Sequence, residues 1–87
     1  MKIKDGFIVR SVAGSNIVVP TGSARVDFNG IMTLNESGMF LWSILEKGAE
    51  KDDLLKAMLS EYDIDEATAS ADIDRFLSKL EEAGIVG

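Results

Sequence analysis

Residues 34–48 read LNESGMFLWSILEKG and separate two halves of the chain with different patterns. The half before them is rich in β-branched residues, and the half after them has the apolar spacing of helices. Asn35 is a good N-cap because its side-chain oxygen can accept a hydrogen bond from an amide at a helix start. Gly48 suits the position just past a helix end, where glycine adopts a left-handed backbone without steric cost. We therefore predict a helix between Asn35 and Gly48.

This predicted helix is apolar on nearly every side. Its large apolar residues are Phe40, Leu41, Trp42, Ile44 and Leu45. A helix that is apolar nearly all round is expected to be buried nearly all round. We therefore expect it to be the central element against which the sheet and the later helices pack, with Trp42 in the core.

A small antiparallel sheet is predicted before this helix. Residues 7–13 and 16–20 are rich in β-branched residues, and we expect them to pair across a short turn at Gly14-Ser15. The second of these strands ends at Pro20, because proline has no N–H to donate to a neighbouring strand.

Residues 31–34 are the last predicted strand, and we expect it at an edge of the sheet. Residues 25–28 alternate polar and apolar side chains, and Asn29-Gly30 after them is a typical hairpin turn. Two arrangements stay open: residues 25–28 either pair with the last strand or only lead into it.

Two further helices are predicted after Gly48. The first has an apolar stripe at helical spacing made of Leu54, Leu55, Met58, Leu59 and Tyr62. Asp65 suits the N-cap of the second, which Gly84 closes. The apolar face of this last helix is Ala69, Ile73, Phe76, Leu77 and Leu80. We expect Ile85 and Val86 to fold back against these apolar residues.

The predicted fold class is therefore α+β, with a small N-terminal antiparallel three-stranded sheet followed by three helices. This order resembles a winged helix-turn-helix whose strands stand at the N-terminal end. At 87 residues we expect one domain, residues 1–87. No apolar run is long enough to span a bilayer and the N-terminus lacks a signal-peptide segment, so we expect a cytoplasmic protein with no membrane partner.

The composition argues against an enzyme. The chain has no histidine and no cysteine, which removes the commonest general base, the commonest metal ligand and thiol chemistry. Its glycines match neither the phosphate-loop pattern nor the dinucleotide-binding pattern. Asp63, Asp65 and Glu66 resemble the start of a calcium loop, but Thr68 stands where that loop needs glycine. We predict no catalysis, no cofactor and no metal site.

The net charge of −6 argues against nucleic acid as a partner. Neutralising phosphates takes clustered basic residues, and here nine of them are spread among fifteen acidic residues. A partner with basic residues of its own fits better. Two functions stay open for this fold: a winged-helix DNA-binding module, and a structural subunit that pairs with a second copy through its edge strand.

Several short motifs in a fixed order resemble the PqqD family. They are the Leu-Asn-Glu-Ser-Gly run at residues 34–38, an apolar helix with Trp42, Glu-Tyr-Asp at residues 61–63, and the final FLSKLEEAGI at residues 76–85. The resemblance covers the chain from about Gly6 to Val86, and its first motif is the most specific. One departure is Glu50, where many relatives carry a threonine cap.

The resemblance implies a fold, a function and a partner. The family fold is three strands followed by three helices, and its members are not catalytic. They are recognition elements for ribosomally synthesised, post-translationally modified peptides. Such a peptide chaperone binds the leader of a precursor peptide and presents it to a modifying enzyme, often a radical SAM enzyme, as in pyrroloquinoline quinone biosynthesis.

The resemblance also implies where the leader peptide lies. In the family it adds to the last strand and lies against the third helix, and an exposed strand edge offers the unpaired backbone groups that such addition needs. Carried over to this chain, the peptide-binding residues are Ile31, Met32, Thr33 and Leu34 on the strand, and Asp72, Arg75, Phe76 and Lys79 on the helix.

Each of these helix residues has an expected role. Phe76 floors an apolar pocket, while Arg75 and Lys79 pair with acidic leader residues and Asp72 pairs with a basic one. The alternative for Phe76 is a place in the core, and the alternative for the charged residues is a solvated surface.

Overall fold

The structure is a computed structural model that describes residues 1–22 and 32–86. These residues form three strands followed by three helices: β1 Phe7–Val12, β2 Ser15–Pro20, β3 Met32–Leu34, α1 Glu36–Leu45, α2 Lys51–Glu61 and α3 Glu66–Glu82. The predicted α+β fold is confirmed, whereas the likeness to a winged helix-turn-helix stays a prediction. The predicted strand at residues 25–28, the turn at Asn29-Gly30 and the site residue Ile31 lie outside the described residues.

The hairpin of β1 and β2 turns one residue earlier than the sequence predicts. Val12 pairs with Ser15, so the two loop residues are Ala13 and Gly14 instead of Gly14-Ser15. Their φ angles are +51° and +82°. Positive φ at both loop residues is the requirement of a type I′ turn, whose twist matches that of the two strands. The twist of the two strands therefore places Ala13 in the left-handed region. The prediction that Ala13 belongs to the first strand, which rested on residue propensity, is wrong.

β2 is the central strand of the sheet, with β1 and β3 antiparallel on either side of it. Val18 on β2 and Leu34 on β3 are buried against the helices. Ile8 and Val12 on β1 are exposed. The sheet therefore packs on the helices through one face only.

The core surrounds α1. Trp42 is 2% exposed, which confirms its prediction as a core residue, and Leu41 and Leu45 are buried beside it. Phe40 and Ile44 are only half-buried, so the expectation that α1 is buried nearly all round is wrong. In a chain this small, two helices and a three-stranded sheet do not cover the full circumference of a central helix.

The predicted apolar stripe of α2 is narrower than expected. Leu54 and Met58 are buried, but Leu59 is 38% exposed and does not belong to the core. Tyr62 is half-buried, and its ring meets the ring of Phe40 edge to face with the centroids 5.6 Å apart. α2 therefore contributes mainly one residue per turn to the core.

The helix caps follow the sequence closely. Asn35 Oδ1 accepts a hydrogen bond from the Gly38 N–H at 2.8 Å, as its prediction as an N-cap requires. At the start of α2 the Asp53 carboxylate accepts from the Glu50 N–H at 2.9 Å. Glu50 can therefore begin a helix although it is not a threonine, because the Asp53 side chain accepts the hydrogen bond of the Glu50 N–H.

Asp65 caps α3, as predicted, and this cap makes stability depend on pH. Its carboxylate accepts hydrogen bonds from the hydroxyl and the backbone N–H of Thr68, which hold the pKa of Asp65 below its ordinary value of 3.8. Because the folded pKa is the lower one, the stabilisation is present above that value and is lost as the pH falls through the folded pKa.

We expect Asp65→Asn to reduce the dependence of stability on pH in acid. Asparagine is also a good N-cap, but it does not titrate in this range. The melting temperature of the variant should fall less than that of the parent chain between about pH 5 and about pH 2. Equal falls in the two proteins would show that the cap does not contribute to acid unfolding.

The segment before β1 joins the core as well. Ile3 is buried and forms an isolated bridge with Val86. The Lys4 N–H donates to the Ile85 carbonyl at 2.7 Å, and Ile85 and Val86 are themselves buried. The prediction that Ile85 and Val86 fold back on the core is confirmed, and Ile3 lies beside them.

Candidate functional site

A groove runs between β3 and α3. Its volume is about 470 Å³. One wall is formed by β3 and the start of α1: Met32, Thr33, Leu34, Asn35, Ser37, Gly38 and Leu41. The other wall is formed by two turns of α3: Asp72, Arg75, Phe76 and Lys79. The structure thus brings together every predicted site residue that it describes, and Ile31 is the one that falls outside.

The sheet register determines which way the backbone of β3 points. A two-residue hairpin loop is flanked by a hydrogen-bonded pair, here Val12 and Ser15, and such pairs alternate along an antiparallel ladder. Ile17 therefore also directs its backbone groups toward β1. The residues between them along β2, Asn16 and Val18, direct theirs toward β3.

The backbone of Thr33 points away from β2. The partners of Asn16 and Val18 are Leu34 and Met32, so these two residues form the hydrogen bonds between β2 and β3. Thr33 lies between them, and its N–H and C=O face the outer side of β3. No strand in the described part of the chain pairs with that side. Within the described residues, this is the kind of strand edge to which an extended peptide can add.

Phe76 lies at the boundary between the core and the groove. Ile73 and Leu77, its neighbours on α3, are buried in the core, whereas Phe76 is half-buried and lines the groove. Its ring packs against the core cluster on one side. Phe76 was expected either in the core or in an apolar pocket. Its side chain does both, because it packs against the core and offers an apolar surface to the groove.

The charges of the groove are partly compensated within the protein. Arg75 Nη2 donates to Asp72 Oδ1, one turn apart on α3, and the two form an ion pair. Asp72 thus already has a basic partner within the protein, and its expected pairing with a basic leader residue stays a prediction. Among the described residues Lys79 has no ion-pair partner, although it lies on the same wall.

The start of α1 contributes groove residues that the sequence analysis did not assign to the site. Gly38 is buried in the first turn of α1, and a Cβ atom there would lie 3.1 Å from Asn35 Oδ1 and 3.5 Å from Leu34 Cβ. Glycine therefore lets the cap and β3 approach the helix closely. The signal was available, because these residues belong to the Leu-Asn-Glu-Ser-Gly motif.

Residues 1–22 and 32–86 hold neither a metal-binding cluster nor a membrane-spanning helix. Within these ranges no three His, Cys, Asp or Glu side chains are grouped so that they could hold a metal ion. None of the three helices described above is both long enough and apolar enough to cross a membrane.

Comparisons with known proteins relate this fold to one family. The family described as "Coenzyme PQQ synthesis protein D (PqqD)" has a model that matches residues 17–86. No curated protein matches the chain.

Two solved structures share the fold over nearly the whole chain. One is described as "TbiB1 in Complex with the TbiA(beta) Leader Peptide", with a TM-score of 0.76, 24% identity, and coverage of 98% of this chain and 93% of that one. The other is "Lasso peptide synthetase B1 complexed with the leader peptide", with a TM-score of 0.73, 19% identity, and coverage of 97% and 93%. Because the family model matches well over half of the sequence, this chain belongs to the PqqD family.

Proposed function

We propose that this chain is a non-catalytic recognition element that binds the leader segment of a ribosomally made precursor peptide. The observation that carries the proposal is the outer side of β3, with which no described strand pairs, beside a groove lined in part by the apolar residues Met32, Leu41 and Phe76. Membership of the PqqD family supports it, and both similar structures were solved with a leader peptide bound. The 87 residues act as one recognition domain.

Binding occurs by strand addition. The peptide backbone hydrogen-bonds to the N–H and C=O of Thr33, which no described strand uses, and this gives affinity that is independent of sequence. Side chains of an extended peptide alternate between its two faces. Every second side chain therefore faces the helices, where Phe76 and Met32 offer apolar contact.

The chemistry takes place on another protein. A peptide that is held by its leader leaves the segment to be modified free to enter a different active site. We therefore propose that the chain presents its peptide to a modifying enzyme, of the radical SAM class, in the cytoplasm. The pathway is pyrroloquinoline quinone biosynthesis or that of another modified peptide.

Phe76→Ala should weaken binding of the leader at least about tenfold, because buried aromatic anchors dominate the energy of such interfaces. The probe is a synthetic leader of the small precursor peptide encoded nearest the gene, and the measurement is isothermal titration calorimetry. Tyr62→Ala is the matched control, since Tyr62 is also a half-buried aromatic residue but does not line the groove. Equal affinity of a folded Phe76→Ala variant would remove Phe76 from the site.

Self-association is the second candidate function, because the same outer side of β3 could pair with β3 of another copy. A molar mass that rises with concentration, and falls when the peptide is added, would show both uses of one edge.

The charges on the surface of α3 argue against DNA binding. Asp74, Glu81 and Glu82 are exposed on the same helix as its two basic residues, and phosphates would be repelled.

A further inference from the structure

The charged residues of the groove differ in whether they have a partner. Asp72 and Arg75 form an ion pair with each other, so their charges largely cancel where a bound peptide would lie. Lys79 is exposed, one turn further along α3, and forms no ion pair with any described residue. The groove therefore presents one uncompensated charge, and that charge is positive.

Among the described lysines, Lys51 is the one that forms an ion pair, so what distinguishes Lys79 is its place in the groove. Lys51 Nζ lies 2.7 Å from Asp74 Oδ1, which ties α2 to the outer side of α3. Lys79 has a possible role without any ligand, because a cation in the last turn of a helix stabilises the helix dipole. That role would give the groove no preference among peptides, so peptide preference separates the two explanations.

We propose that the groove selects peptides that carry a carboxylate two positions from an apolar anchor residue, and that Lys79 is the residue that reads this carboxylate. The inference rests on the proposed function and adds the chemical class of peptide to it. The apolar anchor lies on Phe76, and the carboxylate pairs with the Lys79 ammonium group. Asp72 and Arg75, being paired, set no charge requirement of their own.

The spacing follows from the two backbones. Phe76 and Lys79 are three residues apart on a helix, which is a rise of about 4.5 Å along α3. The proposal takes the extended peptide to lie along α3, and in such a peptide side chains on the same face are two residues apart, which is about 6.6 Å. The flexible four-carbon chain of lysine spans this small difference. A neighbouring residue would instead point to the opposite face of the peptide.

The test is a selection of random 12-residue peptides displayed against three forms of the full chain. The forms are the parent chain, Lys79→Glu, and Lys56→Glu, which makes the same change of charge at an exposed position on α2 outside the groove. We expect the parent and the Lys56→Glu form to enrich Asp or Glu two positions before or after a large apolar residue. Lys79→Glu should enrich Lys or Arg at that position instead.

Affinities of single peptides complete the test. For one enriched peptide, replacing its acidic residue by the neutral amide should weaken binding to the parent chain about threefold to fivefold, as expected for an exposed ion pair. The same replacement should have less than about a twofold effect on Lys79→Met. Fluorescence anisotropy at constant ionic strength is the measurement.

The outcomes separate this inference from the proposed function. Enrichment of apolar peptides with no acidic preference, or with one that Lys79→Glu leaves unchanged, would overturn the role of Lys79 and leave a peptide-binding groove. Failure of all three forms to enrich any peptide would overturn the proposed function and this inference with it. An acidic preference that is lost equally in Lys79→Glu and Lys56→Glu would also contradict the role of Lys79. The net charge of the protein would then be the cause of the preference.

Discussion

Trp42→Ala should lower the free energy of unfolding by about 3–5 kcal/mol. The indole is 2% exposed and lies in the middle of α1, where it belongs to the same cluster as Leu54, Ile73 and Leu80. Truncation to alanine removes apolar surface from the core and leaves a cavity that these neighbours only partly fill. A loss of this size is a large share of the total stability of a small domain.

Urea denaturation, followed by circular dichroism, measures this loss. Leu59→Ala is the matched control, because it also truncates a large apolar helix residue, but one that is 38% exposed on α2. It should cost less than about 1 kcal/mol. If Trp42→Ala costs as little as the control, Trp42 is not the centre of the core. If the variant does not fold at all, the milder Trp42→Phe should still be destabilised relative to the parent chain.

Thr33→Pro should weaken leader binding about tenfold or more while the chain stays folded. Proline removes the N–H that faces the outer side of β3, and a carbonyl of the bound peptide is then left without its donor. The β2–β3 ladder runs through Met32 and Leu34, so this substitution spares the hydrogen bonds within the sheet. Helix content by circular dichroism should therefore change little.

Thr33→Val is the control for this prediction, because it changes the side chain and keeps the backbone donor. It should bind the leader as tightly as the parent chain, to within about twofold. A folded Thr33→Pro variant with unchanged affinity would show that the peptide does not add to β3. A loss of affinity in Thr33→Val as large as in Thr33→Pro would place the effect in the side chain.

The elements predicted most accurately are those whose signals are local. Asn35 and Asp65 accept hydrogen bonds from their own first turns, so a few residues of sequence suffice to place the starts of α1 and α3. The spacing of Ala69, Ile73, Leu77 and Leu80 likewise places the buried face of α3. Such features depend on three or four neighbouring residues and not on the rest of the fold.

Features that depend on distant partners were not predicted. Ala13 enters a left-handed turn because two paired strands require that twist, which no property of alanine indicates. Ile3 stands among charged residues and becomes buried only because Val86, at the other end of the chain, pairs with it. Leu59 has the spacing of a core residue, but no element among the described residues covers it, and it is 38% exposed.

The candidate site was only partly predictable for the same reason. Thr33 and Phe76 came from a family resemblance, and the structure places them in one groove. The ion pair of Asp72 with Arg75 is a matter of side-chain geometry, whereas the family resemblance assigned both residues to contacts with the ligand. Gly38 joined the site only when the close approach of Leu34 became visible.

Strand addition at β3 is tested most directly by an amide NMR titration of the labelled chain. The ligand is the synthetic leader of the precursor peptide encoded nearest the gene. We predict shifts concentrated at Met32, Thr33 and Leu34 and along α3 from Asp72 to Lys79, with slowed amide exchange at Thr33. Shifts confined to the other side of the sheet, around Ile8 and Val12, or no shifts at saturating peptide, would contradict the account.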